Sequence, residues 1–243
     1  DLDEYWAQKM PEFSIDQGVV SGEIIDANRF LNLNDLVTID DTVDPYLFAA
    51  TKMLFEKIGV VESLLDRLID WLDRNNAPFG TYGEEDYAYY DSPYRVKNGA
   101  LECWSDLRLI RGLDDKVLSK LEKYFVVRPI QKNSKSLVNI NTVSSDILMA
   151  LFPSMTDADA EAFIEAGPYD SVNLDKQPWA KEVNYQGRLS TKSDLFILRT
   201  DARFGRVSLR EQFMISRNGI DLRLTSRQKL EWNRALQQEN GEL

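Results

Sequence analysis

The spacing of apolar residues changes twice along the chain, and these changes limit the folds that it can adopt. Near both ends, β-branched and other apolar residues cluster or alternate with polar ones, as is typical of strands. These segments lie at residues 19–25 and 195–224, and the second contains Asn218-Gly219, a dipeptide typical of hairpin turns. Between them, apolar residues recur every three or four positions, as on one helix face. This order predicts that the two ends of the chain pair in one sheet around an inserted helical domain.

The predicted fold is therefore α+β, with an antiparallel sheet interrupted by a large all-α domain. We place the first part of the sheet lobe at residues 1–42, the inserted domain at 43–186 and the second part of the sheet lobe at 187–243. Two helical hairpins are predicted inside the insertion, at residues 105–125 and 144–166. Their opening sequences are similar to each other, which indicates a weak internal repeat.

The composition removes several classes of chemistry. The chain contains no histidine and a single cysteine, Cys103, which excludes histidine-ligated zinc, Ser-His or Cys-His catalysis, internal disulfides and multi-cysteine metal sites. No spacing among the acidic residues selects a catalytic carboxylate pair. The formal net charge of −11 disfavours nucleic acid and anionic membrane surfaces as partners, because like charges repel. We therefore expect a protein that is not an enzyme, and divalent cations and proteins as its partners.

An acidic stretch with glycines at residues 70–91 is the strongest candidate site. Calcium takes about six to eight oxygen ligands, and this stretch supplies carboxylates at both of its ends. Part of its spacing is that of an EF-hand, but Pro78 stands where an EF-hand loop needs glycine, so it is not an EF-hand. From the residues alone, a calcium site and a solvated acidic loop are both open. The acidic and amide side chains concerned are Asp70, Asp73, Asn75, Glu84, Glu85, Asp86 and Asp91.

Two further patterns have a structural and a functional interpretation. Helical hairpins with glycine turns can bind DNA phosphates, but here Pro153 occupies the second turn and the net charge opposes binding. Packing of the two hairpins on each other is the favoured interpretation. Asparagines also alternate with apolar residues at positions 28–34 and 139–141. This pattern predicts strand ends or turns whose amide side chains bind backbone groups.

Taken together, the ordered segments of the chain resemble a known family, the K-type minor pseudopilins of bacterial type II secretion systems. The resemblance runs through most of the chain, and no single motif carries it. The matching segments, in order, are Trp6-Ala7, SGEIIDANRFLNLNDL, LIDWLDRNNAP, GEEDYAYY, SPYRVKNGALECWSDLRLIRGL, VNINTVSSDILMAL and STKSDLFILRTDARFG.

The resemblance implies a pilin-like lobe interrupted by a helical domain, in agreement with the order of strands and helices above. It also implies a non-catalytic subunit that assembles with the I- and J-type minor pseudopilins into a tip complex. This complex starts and caps the pseudopilus for protein export across the outer membrane. Family members carry an N-terminal hydrophobic helix that anchors them in the inner membrane. We expect this chain to be the periplasmic part of such a protein, in contact with the membrane only through that absent helix.

The resemblance further implies that the helical domain binds calcium, as one or two ions, at the acidic stretch. The predicted ligands are Asp70, Asp73, Asn75, Glu84, Glu85 and Asp86. All of them except Asn75 and Glu84 match positions of the family's pattern. Asn75 departs from the family, in which many members have aspartate at this position. An amide oxygen still binds calcium but contributes no charge, which favours weaker binding.

Three alternatives stay open from the sequence. A minor pilin of a related pilus system would share the fold and differ in its partners. A helical-hairpin protein would bind nucleic acid with a steep dependence on salt concentration. A calcium-dependent hydrolase would contain a carboxylate whose replacement abolishes turnover without unfolding the protein.

Overall fold

The structure, a computed structural model, describes residues 1–8, 10–128, 136–181 and 183–229. The chain divides into two compact units. The first combines Asp1–Asn28 with Lys192–Leu243 and holds the main sheet, and the second, Arg29–Thr191, is mainly helical. The insertion predicted at residues 43–186 lies inside the second unit. Residues 230–243 of the predicted final segment lie outside the described part of the chain.

The described residues form strands, α-helices and 3-10 helices. The strands are β1 (Met10–Ile15), β2 (Gly18–Asp26), β3 (Leu31–Asn32), β4 (Phe125–Val126), β5 (Val138–Asn139), β6 (Leu189–Ser190), β7 (Leu195–Phe204), β8 (Val207–Asn218) and β9 (Asp221–Lys229). The α-helices are α1 (Pro45–Lys57), α2 (Ser63–Leu72), α3 (Asp115–Leu121), α4 (Ser145–Leu151) and α5 (Asp157–Glu165). The 3-10 helices are Tyr5–Ala7, Ala27–Arg29, Leu33–Leu36, Asp86–Tyr89, Trp104–Leu109 and Pro178–Ala180. Within these described ranges, no helix is both long enough and apolar enough to span a bilayer.

The first unit is built on a five-stranded antiparallel sheet in the order β1-β2-β7-β8-β9. Strands β2 and β7 pair along their whole length, from Gly18 opposite Phe204 to Asp26 opposite Phe196. The segments that enter and leave the insertion are therefore direct neighbours in the sheet. This arrangement confirms the predicted pairing of the two ends of the chain.

Two features of this sheet differ from the sequence-based expectation. The edge strand β1 lies outside the segments whose residue pattern predicts strands, and its Pro11 lacks a backbone N–H donor. Its pairing with β2 is irregular between Met10 and Phe13, and an edge strand tolerates proline at such a position. The turn between β8 and β9 is Gly219-Ile220, one residue later than predicted. Gly219 has a φ of 61°, which a residue with a side chain rarely adopts.

One face of the sheet carries apolar side chains on all five strands. Residues directly opposite each other share a face, and the pairs can be followed from strand to strand. One such row is Ile15, Gly18, Phe204 and Val207, and the next is Phe13, Val20, Ala202 and Leu209. Several of these side chains are exposed, with Phe204 at 58% and Val207 at 68%. Trp6 packs edge-on against Phe196, which lies on the same face of β7.

The second unit is organised around one apolar core to which its helices contribute. Helix α4 packs on α1 and on α5. The helical hairpin predicted at residues 144–166 is confirmed as α4 and α5. The segment predicted as a hairpin at residues 105–125 forms the 3-10 helix Trp104–Leu109 followed by α3. Two short parallel ladders, β3 with β4 and β5 with β6, show that the insertion is not purely α-helical.

A buried and a half-buried asparagine, Asn34 and Asn141, join distant segments of the second unit, as the sequence pattern predicted. The side-chain amide of Asn34 donates to the carbonyl oxygens of Leu101 and Arg128 at 2.9 and 2.7 Å. Its Oδ1 accepts a hydrogen bond from the N–H of Leu101 at 2.8 Å. Asn141 binds both backbone groups of Tyr169 in the same way, at 2.9 and 2.7 Å. These side chains thus replace backbone pairing where no long strand is available.

Candidate metal centre

Three acidic side chains are carried by α2 and its C-cap, and the first of them, Asp66, lies in the first turn of the helix. Asp66 and Asp70 are four residues apart, which places them one turn apart on the same helix face, and Asp73 is the C-cap. Their exposed fractions are only 6%, 0% and 4%. Asp70 and Asp73 add negative charge near the C-terminus of the helix, where the helix dipole is itself negative. This end of α2 therefore favours a nearby cation.

The loop that follows α2 folds back over these carboxylates and is held by them. Oδ2 of Asp66 accepts hydrogen bonds from the backbone N–H groups of Thr81 and Tyr82, at 3.2 and 3.1 Å. Oδ1 of Asp70 accepts one from the N–H of Phe79, at 2.7 Å. Asp66 and Asp70 thus hold the backbone of the loop by hydrogen bonds that need no bound ion.

Several buried oxygen atoms in this region lack a hydrogen-bond partner of normal geometry. Within the residues that the structure describes, they are Oδ2 of Asp70, Oδ1 of Asp73, Oε2 of Glu84, both Oε atoms of Glu85 and Oδ1 of Asn98. Gly83 allows the loop to approach the side chain of Asp70 closely, since a Cβ at this position would lie 2.3 Å from Oδ2 of Asp70. Buried charged oxygens without partners are costly, and a cation would remove that cost.

The carboxylates of this cluster have raised pKa values. Burial raises the pKa of Asp70 to about 6, and the charge of Asp73 adds to the rise against an opposing backbone hydrogen bond. Burial and then the charge of Asp41 raise the pKa of Asp73 to about 6. Burial raises the pKa of Glu85 to about 7, and the charges of Asp70, Asp73 and Asp86 add to the rise. Asp70, Asp73 and Glu85 therefore repel one another when they are ionised, and a bound cation would favour the ionised forms.

The structure brings together three of the six predicted ligands, and two of the others have different surroundings. Glu84 pairs with Arg67 at 2.8 Å and lies 3.6 Å from Nε of Arg111. Asp86 is exposed, and its Oδ1 accepts a hydrogen bond from the N–H of Val96 at 3.2 Å. Both carboxylates are thus already engaged by groups of the protein.

Asn75, the sixth predicted ligand, is exposed and lies at the edge of the cluster. Its Oδ1 accepts a hydrogen bond from the N–H of Ala77 at 2.7 Å. Hydrogen bonds from Asn75 also lower the pKa of Asp73 in opposition to burial. The structure does not exclude Asn75, Glu84 or Asp86 as ligands, and their inclusion stays a prediction.

Sequence reasoning missed two residues of this region, Asp66 and Asn98. Asp66 stands four residues before Asp70 in a segment with helical spacing, which indicates that the two carboxylates share a helix face. Asn98 has a φ of 48°, and its amide donates to the carbonyl oxygen of Asn75 at 3.2 Å. The dipeptide Asn98-Gly99 marks a turn in the sequence but does not connect it with α2.

The available atoms fit a hard cation such as calcium. The unpaired oxygens come from carboxylates and an amide, and the chain has no histidine to favour a transition metal. Across the described ranges, however, no three acidic side chains stand close enough together to enclose an ion as they are. Rotation of the side chains would have to bring the oxygens together around it.

Comparison with known proteins identifies the family. Profiles described as type II secretion system (T2SS), protein K, match residues 29–130 and 138–173, which together make up more than half of the chain. The type II secretion system protein K of Pectobacterium carotovorum subsp. carotovorum is 27% identical over 92% of this chain and 74% of its own length. The protein K of Pseudomonas aeruginosa is 32% identical over 68% of this chain and 50% of its own length.

The fold is also similar to a solved structure. A chain of the crystal structure of the GspK-GspI-GspJ complex from the enterotoxigenic Escherichia coli type 2 secretion system matches with a TM-score of 0.77 and 25% identity. This match covers 95% of the present chain and 86% of that one. The sheet, the helical insertion and these matches define a pilin-like α+β component of a protein secretion system. The chain belongs to the type II secretion system protein K family.

Proposed function

We propose that this chain is a non-catalytic minor pseudopilin that assembles at the tip of the type II secretion pseudopilus. The observation that supports this most is the similarity of 95% of the chain to a chain of the GspK-GspI-GspJ complex. The proposed partners are the I- and J-type minor pseudopilins. In this function no bond is made or broken, because the subunits bury apolar surface against one another and thereby start and cap the pseudopilus.

The apolar face of the sheet supports a place for a hydrophobic helix. Exposed apolar side chains that form a continuous patch mark a surface that another element covers. The family resemblance implies an N-terminal hydrophobic helix, and Trp6 already packs on Phe196 of this face. We infer that such a helix covers the face and continues into the inner membrane, with the residues described here in the periplasm.

Size-exclusion chromatography with light scattering tests the proposed assembly. This protein would be mixed at micromolar concentration, in calcium, with the soluble I- and J-type pseudopilin domains of the same organism. We expect a single peak at the mass of a complex with one copy of each. Separate peaks that persist when the full-length proteins are mixed in detergent would rule out the assignment.

We further propose that Asp70, Asp73 and Glu85 bind calcium. The four buried, unpaired carboxylate oxygens of these three residues and the family resemblance support this. Asp70 and Asp73 would hold the ion from the α2 side and Glu85 from the loop side, with Asn98, backbone carbonyls or water completing the coordination. When bound, the ion supplies the positive charge that offsets the repulsion among these carboxylates. The loop would then be fixed to α2 more firmly than by backbone hydrogen bonds alone.

Calcium affinity is expected to rise with pH. Calcium binds ionised carboxylates, whereas the pKa values of Asp70 and Asp73 are raised to about 6 and that of Glu85 to about 7. At about pH 5.5 the ion must displace protons that are mostly absent at about pH 7.5. Isothermal titration calorimetry should show binding at least about tenfold weaker at the lower pH. Equal affinity at both pH values would argue against these ligands.

The calcium-free protein serves as the control and should respond in the opposite direction. These carboxyl groups have folded-state pKa values above the unfolded value of about 4, so the folded state holds more protons between about pH 4 and 7. Their contribution to the free energy of unfolding therefore falls as the pH rises through this range. Urea unfolding of calcium-free protein at several pH values measures this fall, and added calcium should reverse it near neutral pH.

A further inference from the structure

Three tyrosine rings are exposed on the loop that covers the carboxylates of α2. Tyr82, Tyr87 and Tyr90 are 55%, 65% and 76% exposed, and we call them the tyrosine ridge. Tyr89, in the same loop, is 2% exposed and packs edge-on against Trp71 in the core. The fold therefore uses one ring of this loop and leaves three in solvent. Exposed aromatic rings concentrated in one segment mark an interaction surface.

Two rings of the tyrosine ridge lie on the same side of a 3-10 helix. The helix Asp86–Tyr89 is followed by Tyr90, whose backbone is still helical. With about three residues per turn and about 2 Å of rise per residue, Tyr87 and Tyr90 are eclipsed and about 6 Å apart along the axis. The hydroxyl of Tyr87 donates to the carbonyl oxygen of Gly83 at 3.2 Å, which places its ring beside the part of the loop that carries Tyr82.

The backbone beneath the tyrosine ridge is fixed by side chains from elsewhere in the second unit. Asp66 binds the N–H of Tyr82. Arg95 donates to the carbonyl oxygen of Tyr89 at 3.1 Å, and Arg111 donates to that of Ala88. Tyrosines on a fixed backbone lose little conformational entropy when they bind a partner. The ridge is thus preorganised for binding.

Charge indicates a cationic partner. The exposed carboxylates of Asp86 and Asp91 lie in the same segment, on a protein of net charge −11. The loop also shows the contact that such a partner would make, since the guanidinium of Arg95 lies 6.0 Å from the ring centroid of Tyr90. A cation over a tyrosine face is attracted by the negative charge of the ring face.

We propose that the tyrosine ridge binds an extended, arginine- or lysine-rich segment of a partner protein. Alternate residues of an extended chain are about 6.8 Å apart, close to the axial spacing of Tyr87 and Tyr90. Cationic side chains at alternate positions share one face of the extended chain, so they can lie over successive rings and beside the exposed carboxylates of Asp86 and Asp91. This surface is formed by the hydrogen bonds described above.

Fluorescence anisotropy with a labelled peptide of alternating arginine and serine, about ten residues long, tests this proposal. We expect micromolar binding to the wild-type protein at low salt, and at least about tenfold weaker binding after combined replacement Tyr82→Ser, Tyr87→Ser and Tyr90→Ser. These replacements do not alter the charge, so any non-specific attraction to the acidic protein is retained. The matched control is Tyr5→Ser, because Tyr5 is 94% exposed and lies outside this loop. It should leave the affinity unchanged.

Wild-type affinity in the triple variant would overturn the proposal, as would the absence of peptide binding to the wild-type protein. The thermal unfolding curve of the triple variant should match that of the wild type, since the three rings are exposed. If the triple variant does not fold, the single variants Tyr82→Ser and Tyr90→Ser decide the question. Each should then weaken peptide binding, and unchanged affinity in both would overturn the proposal.

Discussion

Replacement of Glu85 by glutamine is expected to abolish the calcium-dependent stability of the protein without lowering its stability in chelator. Both carboxylate oxygens of Glu85 are buried without a hydrogen-bond partner, and burial raises its pKa to about 7. Without the ion, a neutral amide removes repulsion with Asp70 and Asp73. With the ion, the variant lacks a charged ligand. Stability measured with and without calcium therefore distinguishes a calcium ligand from a residue that only stabilises the fold.

Urea unfolding in calcium and in chelator measures this effect. At a calcium concentration about a thousand times Kd, binding to the folded state alone adds about 4 kcal/mol to the free energy of unfolding. The wild-type protein should lose this increment in chelator, whereas Glu85→Gln should be about equally stable in both. If excess chelator leaves the unfolding of calcium-loaded wild-type protein unchanged, the calcium proposal is wrong.

Glu84→Gln provides a matched control at the neighbouring position. Glu84 pairs with Arg67 and lies near Arg111, and its side chain is only 13% exposed. Removal of its charge leaves these cations without their partner and should lower stability in both conditions. The increment from calcium should persist, because the charge on Glu85 is retained. Loss of the calcium response in both variants would instead place Glu84 among the ligands, as the wider predicted set has it.

The second large effect is expected from Asn34→Ala, which should lower the free energy of unfolding by about 3–5 kcal/mol. Asn34 is 2% exposed and makes three hydrogen bonds to the backbone of Leu101 and Arg128. Alanine leaves these buried backbone groups without partners, at a cost of about 1–3 kcal/mol each. Urea unfolding followed by circular dichroism measures the loss.

Asn173→Ala is the control for this second experiment. Asn173 is exposed and accepts one local hydrogen bond, from the N–H of Asp175. Its replacement should cost less than about 1 kcal/mol. Comparable losses in the two variants would show that the contacts of Asn34 are not what stabilises this region.

The sequence predicted the strands at both ends of the chain and the helical insertion between them because apolar spacing is a local property. The alternation in β7 to β9 and the turn after Asn218 were visible without any knowledge of tertiary contacts. Strand β1 was missed because its tolerance of Pro11 depends on being at a sheet edge, which is a property of the whole sheet. The parallel ladders of β3 with β4 and β5 with β6 were missed because two-residue strands carry no periodic pattern.

The candidate site was predictable in part for the same reason. The acidic stretch made Asp70 and Asp73 candidates, and the family resemblance pointed to both of them and to Glu85. Without the resemblance, the residues alone did not distinguish Glu84 from Glu85, since neighbouring loop residues point in different directions that only the fold determines. The structure turns Glu84 towards two arginines and Glu85 into the cluster. Asn98 could not be assigned because its proximity to Asn75 arises from the tertiary fold.

The pairing of Asp26 with Phe196 has a consequence for how this family can change over evolution. Residues opposite each other in an antiparallel pair are about 5 Å apart, so the chain leaves the sheet and returns to it at nearly the same point. The more than 160 residues between Asp26 and Phe196 therefore connect two paired strands in the same way as a long hairpin loop. The entropy of closing such a loop grows only with the logarithm of its length. Descendants could therefore lengthen, shorten or exchange the insertion with little effect on the stability of the sheet that carries it.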